Sequence, residues 1–254
     1  MAKVLFSRRL AEIWSAGGLS VGDSLPPSRP TRPERPQLLS PKEMPKRRAF
    51  GSPGGRIALL HALAHIELNA IDLAWDIIAR FSHERPPRLF YDDWVGVAAE
   101  EAVHFGLLVR RLTDFGAHYG DLPAHDGLWE SAAATANDLL ARLAVVPLVL
   151  EARGLDVTPQ MAATLERVGD AESAAILRRI YCDEIAHVAA GVRWFDEICR
   201  VRGLVPEETF HRLVRRHFKG ALKLPFNCEA RAAAGFPARY YEPLLQGDAP
   251  LLRG

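Results

Sequence analysis

A short pattern, glutamate and histidine three residues apart, occurs twice in apolar stretches of this chain. The first copy is "EEAVH", with Glu101 and His104, and the second is "DEIAH", with Glu184 and His187. Both copies lie in stretches whose apolar residues recur with the period of an α-helix. Residues at i and i+3 share one face of a helix, so the two side chains of each pair point the same way. The sequence therefore predicts helices that aim both pairs at a polar centre.

Each pair follows a lone glutamate at nearly the same distance. Glu67 precedes Glu101 by 34 residues, and Glu151 precedes Glu184 by 33 residues. Glu67 shares a helical stripe with apolar residues, and Glu151 follows the apolar run "AVVPLVL", in which Pro147 should kink the helix. The chain thus contains a pseudo-repeat, in which each half is a lone Glu followed by Glu-x-x-His. A single copy is usually a solvated helix face, but two copies with matched spacing favour a metal site.

Four glutamates and two histidines are the ligand set of proteins that hold two iron or manganese ions inside a four-helix bundle. Unpaired buried carboxylates are costly, and two divalent cations would neutralise them. Imidazole and carboxylate ligands suit iron and manganese. The cofactor predicted from these residues is two Fe ions, two Mn ions or a mixed pair. The predicted ligands are Glu67, Glu101, His104, Glu151, Glu184 and His187.

The remaining sequence predicts an all-α chain with four long helices. The first starts near residue 56, and Asp92 or Asp93 could cap the second, which ends at Gly116. The last long helix runs from near Asp170 to Gly203, and a short one follows at Pro206. Segment 20–55 is Pro-rich and basic, so we expect an extended arm after a short helix near 7–15.

The third long helix is harder to place. In a ferritin-like topology helices two and three run parallel, so the connection between them must span the length of the bundle. If helix three started at residue 127, the loop before it would be too short for this span at about 3.6 Å per residue. Either 127–136 is a separate crossover segment, or helix three is antiparallel to helix two. We favour a helix that starts near Asn137, breaks at Gly154 and resumes with Thr158 as cap and Pro159 in its first turn.

Composition bounds the class of protein. The chain has 254 residues, 48% of them hydrophobic, a formal net charge of +1 and three cysteines, which do not form a disulfide framework. The low number of cysteines indicates a reducing compartment, so we expect a protein of the cytoplasm. No apolar run approaches the roughly 20 residues of a membrane helix. A transit peptide stays open for the Arg-rich N-terminus. The predicted division is an arm (1–55), a four-helix bundle (56–240) and an irregular C-terminal tail (241–254).

Several long stretches resemble a family of uncharacterised bacterial ferritin-like proteins. They include "HALAHIELNAIDLAWD", "DWVGVAAEEAVHF", "RLAVVPLVLEARGLDVTP", "DEIAHVAAGVRWF" and "FNCEARAAAGF", and the likeness covers about 56–240. The resemblance implies a ferritin-like four-helix di-metal fold but brings no established reaction. A more distant relative is the ferritin-like tRNA hydroxylase, which oxidises a prenylated adenosine.

The same resemblance assigns roles to residues beside the ligands. In di-iron relatives the acid before the last Glu-x-x-His orients the opposite histidine, so Asp183 would be a partner of His104, and Glu100 could act similarly. A surface charge is the alternative for both. Tyr181 shares a face with Glu184 and could contact a ligand or be oxidised, although a packing role is the more common one.

The functional expectation is a di-iron oxidoreductase that activates dioxygen or peroxide on a small organic substrate, with an unidentified electron donor. One alternative is a protein that only binds iron or manganese, and another is a tRNA-modifying hydroxylase. If the protein is a tRNA hydroxylase, the basic stretch 211–223 would contact the anionic RNA. Otherwise this stretch is a solvent-exposed helix face. His118 and His125 could line a substrate entrance or serve turns and caps. A homodimer stays open.

Overall fold

In the computed structural model, the described residues (2–22, 25–45 and 50–245) form helices joined by loops, with no β-strand. A π-helical turn, called the π segment below, covers Val146–Glu151, and short 3-10 helices cover Ser82–Glu84 and Glu242–Leu244. The all-α prediction is confirmed for this part of the chain. The α-helices are α1 (Ala2–Ser15), α2 (Pro53–Arg80), α3 (Arg88–Asp114), α4 (Gly127–Ala134), α5 (Leu139–Val145), α6 (Ala152–Arg167), α7 (Ala171–Val201), α8 (Pro206–His217), α9 (Cys228–Ala233) and α10 (Ala238–Tyr241).

The chain divides into two compact units. Unit 1 comprises Met1–Ala133 and Pro159–Ile180, and unit 2 comprises Ala134–Thr158 and Tyr181–Gly254. Helices α1 to α4 belong to unit 1, and α5, the π segment and α8 to α10 belong to unit 2. Helices α6 and α7 contribute residues to each unit.

Unit 1 is built on the pairing of its two longest complete helices, α2 and α3, with α1 packed against α3. Ser52 caps α2 by accepting a hydrogen bond from the Gly55 amide at 3.1 Å, and Pro53 suits the first turn because it has no amide to satisfy. The apolar stripes of α2 and α3 meet in one core. Its members from these helices include Leu60, Ala64, Leu68, Ile71, Ala102, Phe105, Leu108 and Leu112.

Helix α2 is apolar enough to raise the question of a membrane. Among the described helices it alone has the length and composition needed to cross a bilayer, and 67% of its most apolar window is buried inside the protein. A core helix meets the same criteria of length and composition. The burial of α2 is that of a core helix.

The Pro-rich arm is extended, as its composition indicates, and lies on unit 1. Leu38 forms an isolated parallel bridge with Ala124. Arg32 reaches Asp72 on α2 at 3.1 Å, and Arg29 forms an ion pair with Asp126. These contacts place the arm against α2 and the loop that follows α3.

The predicted start of the second long helix is wrong. Helix α3 begins at Arg88 after Pro87, whose extended backbone (φ −66°, ψ 161°) takes the cap position. Asp92 does not cap the helix, because its Oδ1 atom accepts hydrogen bonds from Trp14 at 2.7 Å and Arg88 at 2.9 Å. The helix ends at Asp114, two residues before the predicted Gly116, whose φ of +71° is unfavourable for other residues.

Segment 127–136 is separate from the third long helix, because α4 ends at Ala134 and α5 begins at Leu139. Its role as a crossover stays a prediction. Asp138 caps α5, and its Oδ1 atom accepts hydrogen bonds from the amides of Leu140 at 2.9 Å and Ala141 at 3.3 Å. The third long helix therefore starts close to the predicted position, Asn137.

The predicted break at Gly154 is wrong. Gly154 lies inside α6, and so do Thr158 and Pro159, which start no new helix. The irregularity lies in the π segment instead, where the Ala152 amide donates to the carbonyl of Pro147 five residues earlier. Proline has no amide to donate and its ring crowds the preceding turn, so the backbone widens after Pro147 instead of breaking at the glycine.

The described part of the predicted irregular tail is helical, because Tyr241 ends α10 and Glu242–Leu244 forms a 3-10 helix. The segment just before it is also ordered. Asn227 caps α9 by accepting from the Ala230 amide at 3.1 Å. Arg231 donates to both carboxylate oxygens of Asp156 on α6, at 2.8 and 2.7 Å, and both side chains are buried. This bidentate ion pair holds α9 to α6 within unit 2. The part of the predicted tail at 246–254 lies outside the described residues.

Candidate metal centre

The first half of the repeat forms a buried cluster in unit 1. Glu67 projects from α2, and Glu101 and His104 project from one face of α3. His104 Nδ1 lies 3.3 Å from Glu67 Oε2 and 3.4 Å from Glu101 Oε2. One ligand atom from each of the three residues lies within 4.8 Å of the others. The side chains are 5%, 1% and 0% exposed for Glu67, Glu101 and His104, so the cluster is inside the unit.

Burial and neighbouring charge change the protonation of this cluster. Burial raises the pKa of Glu67 well above its usual value, and the nearby carboxylate of Glu101 raises it further. Burial alone would lower the pKa of His104, but hydrogen bonds and charge from Glu101 and Glu67 raise it to about 11. Protons therefore hold the cluster together when no metal is bound.

The same three residues fit a divalent cation. Glu67 Oε2 is fully buried, and His104 Nδ1 lies 3.3 Å from it. Buried carboxylate oxygens need a hydrogen-bond donor or a cation. Two carboxylates and one imidazole offer iron or manganese suitable ligands, and a bound cation would replace the protons that the cluster otherwise holds.

The second half of the repeat lies in unit 2. Glu184 and His187 share a face of α7, are 11% and 1% exposed, and approach to 3.6 Å between Oε2 and Nδ1. Glu151 is the last residue of the π segment and is half-buried. These three residues repeat the Glu and Glu-x-x-His donors of the first half, but the lone glutamate stands on a π turn instead of a regular α-helix.

A close contact joins the π segment to α7. A Cβ atom on Gly191 would lie 2.6 Å from Cβ of Pro147, which is closer than real Cβ atoms approach. Gly191 is four residues after His187, so the contact lies about one helical turn from that imidazole. The sequence pointed to Pro147 but not to the glycine that accommodates it.

The residues predicted to lie beside the ligands differ in exposure. Asp183 is half-buried and Glu100 is exposed. The hydroxyl oxygen of Tyr181 accepts a hydrogen bond from Asn227 Nδ2 at 3.2 Å, which ties α7 to the segment before α9. The supporting roles of Asp183, Glu100 and Tyr181 stay predictions.

Helix α2 carries two further polar residues close to Glu67 in the sequence, His61 and His65. His65 Nδ1 lies 2.8 Å from the Tyr119 hydroxyl, and His61 Nε2 accepts from the Gly120 amide at 2.9 Å. Burial, followed by the charge of Arg32, lowers the pKa of His65 to about 4, so it stays neutral. Hydrogen bonds engage both ring nitrogens of His65 and Nε2 of His61, which favours structural roles for the two histidines.

The histidines of the loop after α3 have local contacts. His125 Nδ1 accepts from the Gly127 amide at 3.2 Å at the start of α4, which is the capping alternative. His118 is exposed and lies 3.7 Å from Asp121. Neither observation supports a substrate entrance at these residues.

Comparison with known proteins gives a family but no activity. A family model described as "Protein of unknown function (DUF455)" matches residues 1–242. An uncharacterised protein of Haemophilus influenzae is 43% identical over 213 residues, which cover 80% of this chain and 72% of that protein. No solved structure matches the chain. The family match includes both lone glutamates and both Glu-x-x-His copies.

Proposed function

Since the chain belongs to the DUF455 family, whose description gives no activity, we propose a function from its own residues. We propose that it is a di-metal carboxylate protein, with iron the first candidate, that oxidises a small organic substrate with dioxygen or peroxide. The observation that carries this proposal is the buried cluster of Glu67, Glu101 and His104. A cluster of two carboxylates and an imidazole in an apolar core is costly to keep unless it binds something.

The second ion is proposed from the repeat. Glu151, Glu184 and His187 reproduce the donor set and the spacing of the first half, and Glu184 and His187 are buried side by side on α7. Four carboxylates would then balance the charge of two divalent ions. A ferritin-like four-helix bundle is our proposal for the fold around the ions, supported by this repeat and by the helical secondary structure.

The chemistry divides between the metal and the chain. When bound, a reduced iron or manganese pair supplies electrons and open coordination positions to dioxygen or peroxide. The chain holds the metal through its carboxylates and imidazoles, and His104 must release its proton to become a ligand. Apolar neighbours of the first half, such as Leu68 and Phe105, limit the access of water to it.

The other assignments are proposals of the same kind. We place the protein in the cytoplasm, with an electron donor and a small-molecule substrate as partners, and leave room for a homodimer. A tRNA substrate would need the basic stretch 211–223, where Arg212, Arg216 and Lys219 are exposed. A protein that only binds iron or manganese is the alternative without catalysis.

Metal content tests the proposal. The purified chain is reconstituted with Fe(II) or Mn(II) and analysed for metal beside Glu101→Ala, Glu184→Ala and the double variant. Glu208→Ala, at an exposed glutamate of α8, is the control. Two ions per chain in the wild type and control, with loss in the double variant, support the proposal. Less than half an ion per chain in every sample contradicts it.

Oxygen consumption separates the enzyme from the binder. The iron-loaded, reduced protein is mixed with dioxygen in an electrode cell with and without a chemical reductant. Repeated turnover with the reductant supports an oxidoreductase, and it should disappear in the double variant. Bound metal without any consumption of dioxygen or peroxide supports a binding protein.

A further inference from the structure

Unit 1 contains an apolar pocket that takes no part in the metal cluster. Its volume is about 200 Å³, and segment 19–22 after α1 forms one of its walls. The other walls come from α1, α2 and α3. The main lining residues are Trp14, Trp75, Ile78, Ala79, Tyr91 and Val95.

The indole nitrogens of the pocket's two tryptophans already have hydrogen-bond partners. Trp14 Nε1 donates to Asp92 at 2.7 Å, and Trp75 Nε1 donates to the Ser7 hydroxyl at 2.8 Å. Ser82, which also lines the pocket, donates to the Ala79 carbonyl at 3.2 Å. The two indoles therefore present ring surface to the pocket, and a ligand would meet mainly aromatic and aliphatic groups.

The charges beside the pocket are paired with each other. Arg80 donates to Asp76 on the same helix at 2.7 Å, and Arg88 donates to Asp92 at 2.9 Å. The Arg88 guanidinium also stacks on Trp14, 3.9 Å from the ring centroid. Because these charges have partners, they offer little to a charged ligand, and the pocket favours a neutral one.

Size narrows the ligand further. An enclosed apolar cavity of roughly 150 Å³ is large enough for benzene, and this pocket is larger but partly open to solvent. A pocket of about 200 Å³ therefore accommodates one six-membered ring with a small substituent. The rings of Trp14, Trp75 and Tyr91 offer the faces and edges that aromatic partners pack against.

We propose that this pocket binds a neutral molecule of about the size of one aromatic ring. The site is separate from the metal cluster. Trp75 lies eight residues after Glu67 on α2, which is about 12 Å of helix, and Val95 lies six residues before Glu101 on α3, which is about 9 Å. A single ring in the pocket cannot contact those carboxylates, so the proposal does not depend on a bound metal.

The test uses fluorobenzene and ¹⁹F NMR on the full-length protein, with 4-fluorobenzoate as the charged probe of similar size. We expect saturable binding of fluorobenzene and at least about tenfold weaker binding of the benzoate, because the pocket offers that carboxylate no partner. Binding that does not saturate, or equal binding of the two probes, would overturn the proposal.

A matched pair of variants locates the ligand. Ala79→Leu adds bulk to the pocket wall, and Ala58→Leu makes the same change at another half-buried alanine of α2 outside it. We expect at least about tenfold weaker binding of fluorobenzene to Ala79→Leu, because the added side chain occupies part of the pocket. For Ala58→Leu we expect less than about twofold change in affinity. An equal effect of the two variants contradicts the assignment.

A measurement on the wild type keeps the test independent of how Ala79→Leu folds. Heteronuclear Overhauser contacts from the bound fluorine should reach the ring protons of Trp75 or Trp14. Contacts to either ring support the pocket. Saturable binding with contacts only to residues elsewhere would overturn it.

Discussion

The two halves of the repeat have the same donor pattern but stand on different backbones. In the first half, Glu67 lies within an uninterrupted α2, and its side chain is 5% exposed beside His104. In the second half, Glu151 ends the π segment and is half-buried, and Glu184 lies 3.6 Å from His187. Donor spacing thus decides which side chains share a helix face, while the local backbone decides how deeply each carboxylate is buried.

This difference predicts unequal metal sites. The first half has its three donors within 4.8 Å of each other inside one unit, which is a preorganised arrangement. The second half depends on a π turn, a kind of irregularity that is common at functional sites because it re-aims a side chain. We therefore expect the first half to bind its ion more tightly.

The largest expected effect comes from removing one histidine at a time. His104→Ala should weaken binding at the tighter site by at least about 100-fold, since even outer residues of metal sites are worth 10–100-fold. His187→Ala should weaken the second site and affect the first much less. Competition titrations with a chelator measure both affinities.

The control for these variants is His61→Ala, which removes a buried histidine of α2 that bonds the Gly120 amide outside the cluster. It should cost stability but keep both ions. If His104→Ala and His187→Ala each abolish both sites equally, the two halves do not act as separate sites and the comparison fails.

The next effect concerns the backbone of the second half. Gly191→Ala places a Cβ atom 2.6 Å from Pro147, so α7 and the π segment must separate. We expect a loss of about 1–3 kcal/mol in the free energy of unfolding, typical of overpacking. Occupancy of the second site should fall while that of the first is retained. Urea unfolding and metal analysis measure the two outcomes.

Gly154→Ala is the matched control for that variant. A Cβ atom at Gly154, inside α6, would meet nothing within 4 Å. Replacing a glycine in a helix interior should raise stability by about 0.5–1 kcal/mol. Equal behaviour of the two variants would show that the contact at Pro147 does not constrain the π segment.

Periodicity was enough to find the helices and the faces of the donors. The helical stripe that Glu67 shares with apolar residues depends only on regular helix geometry. The spacing of Glu101 and His104 likewise required no long-range information. The three residues of the buried cluster in the first half were likewise chosen from local pattern, and their role as metal ligands stays a prediction.

Features that depend on distant partners could not be predicted. The contact of Pro147 with Gly191, 44 residues away in the sequence, is one of them. The packing of α9 on α6, through the ion pair of Arg231 with Asp156 75 residues away, is another. Local propensity carries no signal for such contacts.

A smaller effect is the pH dependence of the metal-free protein. The pKa of His104 is raised from 6.5 to about 11, so its contribution to stability is complete below pH 6.5 and is lost as pH rises towards 11. Glu67, with a raised pKa, acts in the same direction above its usual 4.5. One pKa unit corresponds to about 1.4 kcal/mol, and we expect at least that decline.

Urea unfolding with a chelator at pH 6.5, 8 and 9.5 measures this decline, and the wild type is compared with His104→Ala to remove the titration of other groups. The stabilisation by added metal should change in the opposite sense, rising with pH as His104 loses its proton. A wild type whose decline matches that of His104→Ala would show that the imidazole is not held by Glu67 and Glu101.

The smallest expected effect is that of Glu67→Gln on stability, which distinguishes a metal ligand from a member of a structural ion pair. Glu67→Gln keeps the shape of a protonated carboxyl, which is the form that the raised pKa of Glu67 favours without metal. The metal-free variant should therefore unfold within about 1 kcal/mol of the wild type, yet bind less metal. On the same helix, Asp72→Asn removes the partner of Lys3 (2.8 Å) and Arg32 (3.1 Å) and should cost more. A loss of about 3–5 kcal/mol for Glu67→Gln would match a broken buried ion pair. The first half would then be a structural contact, and the difference between the halves would concern packing alone.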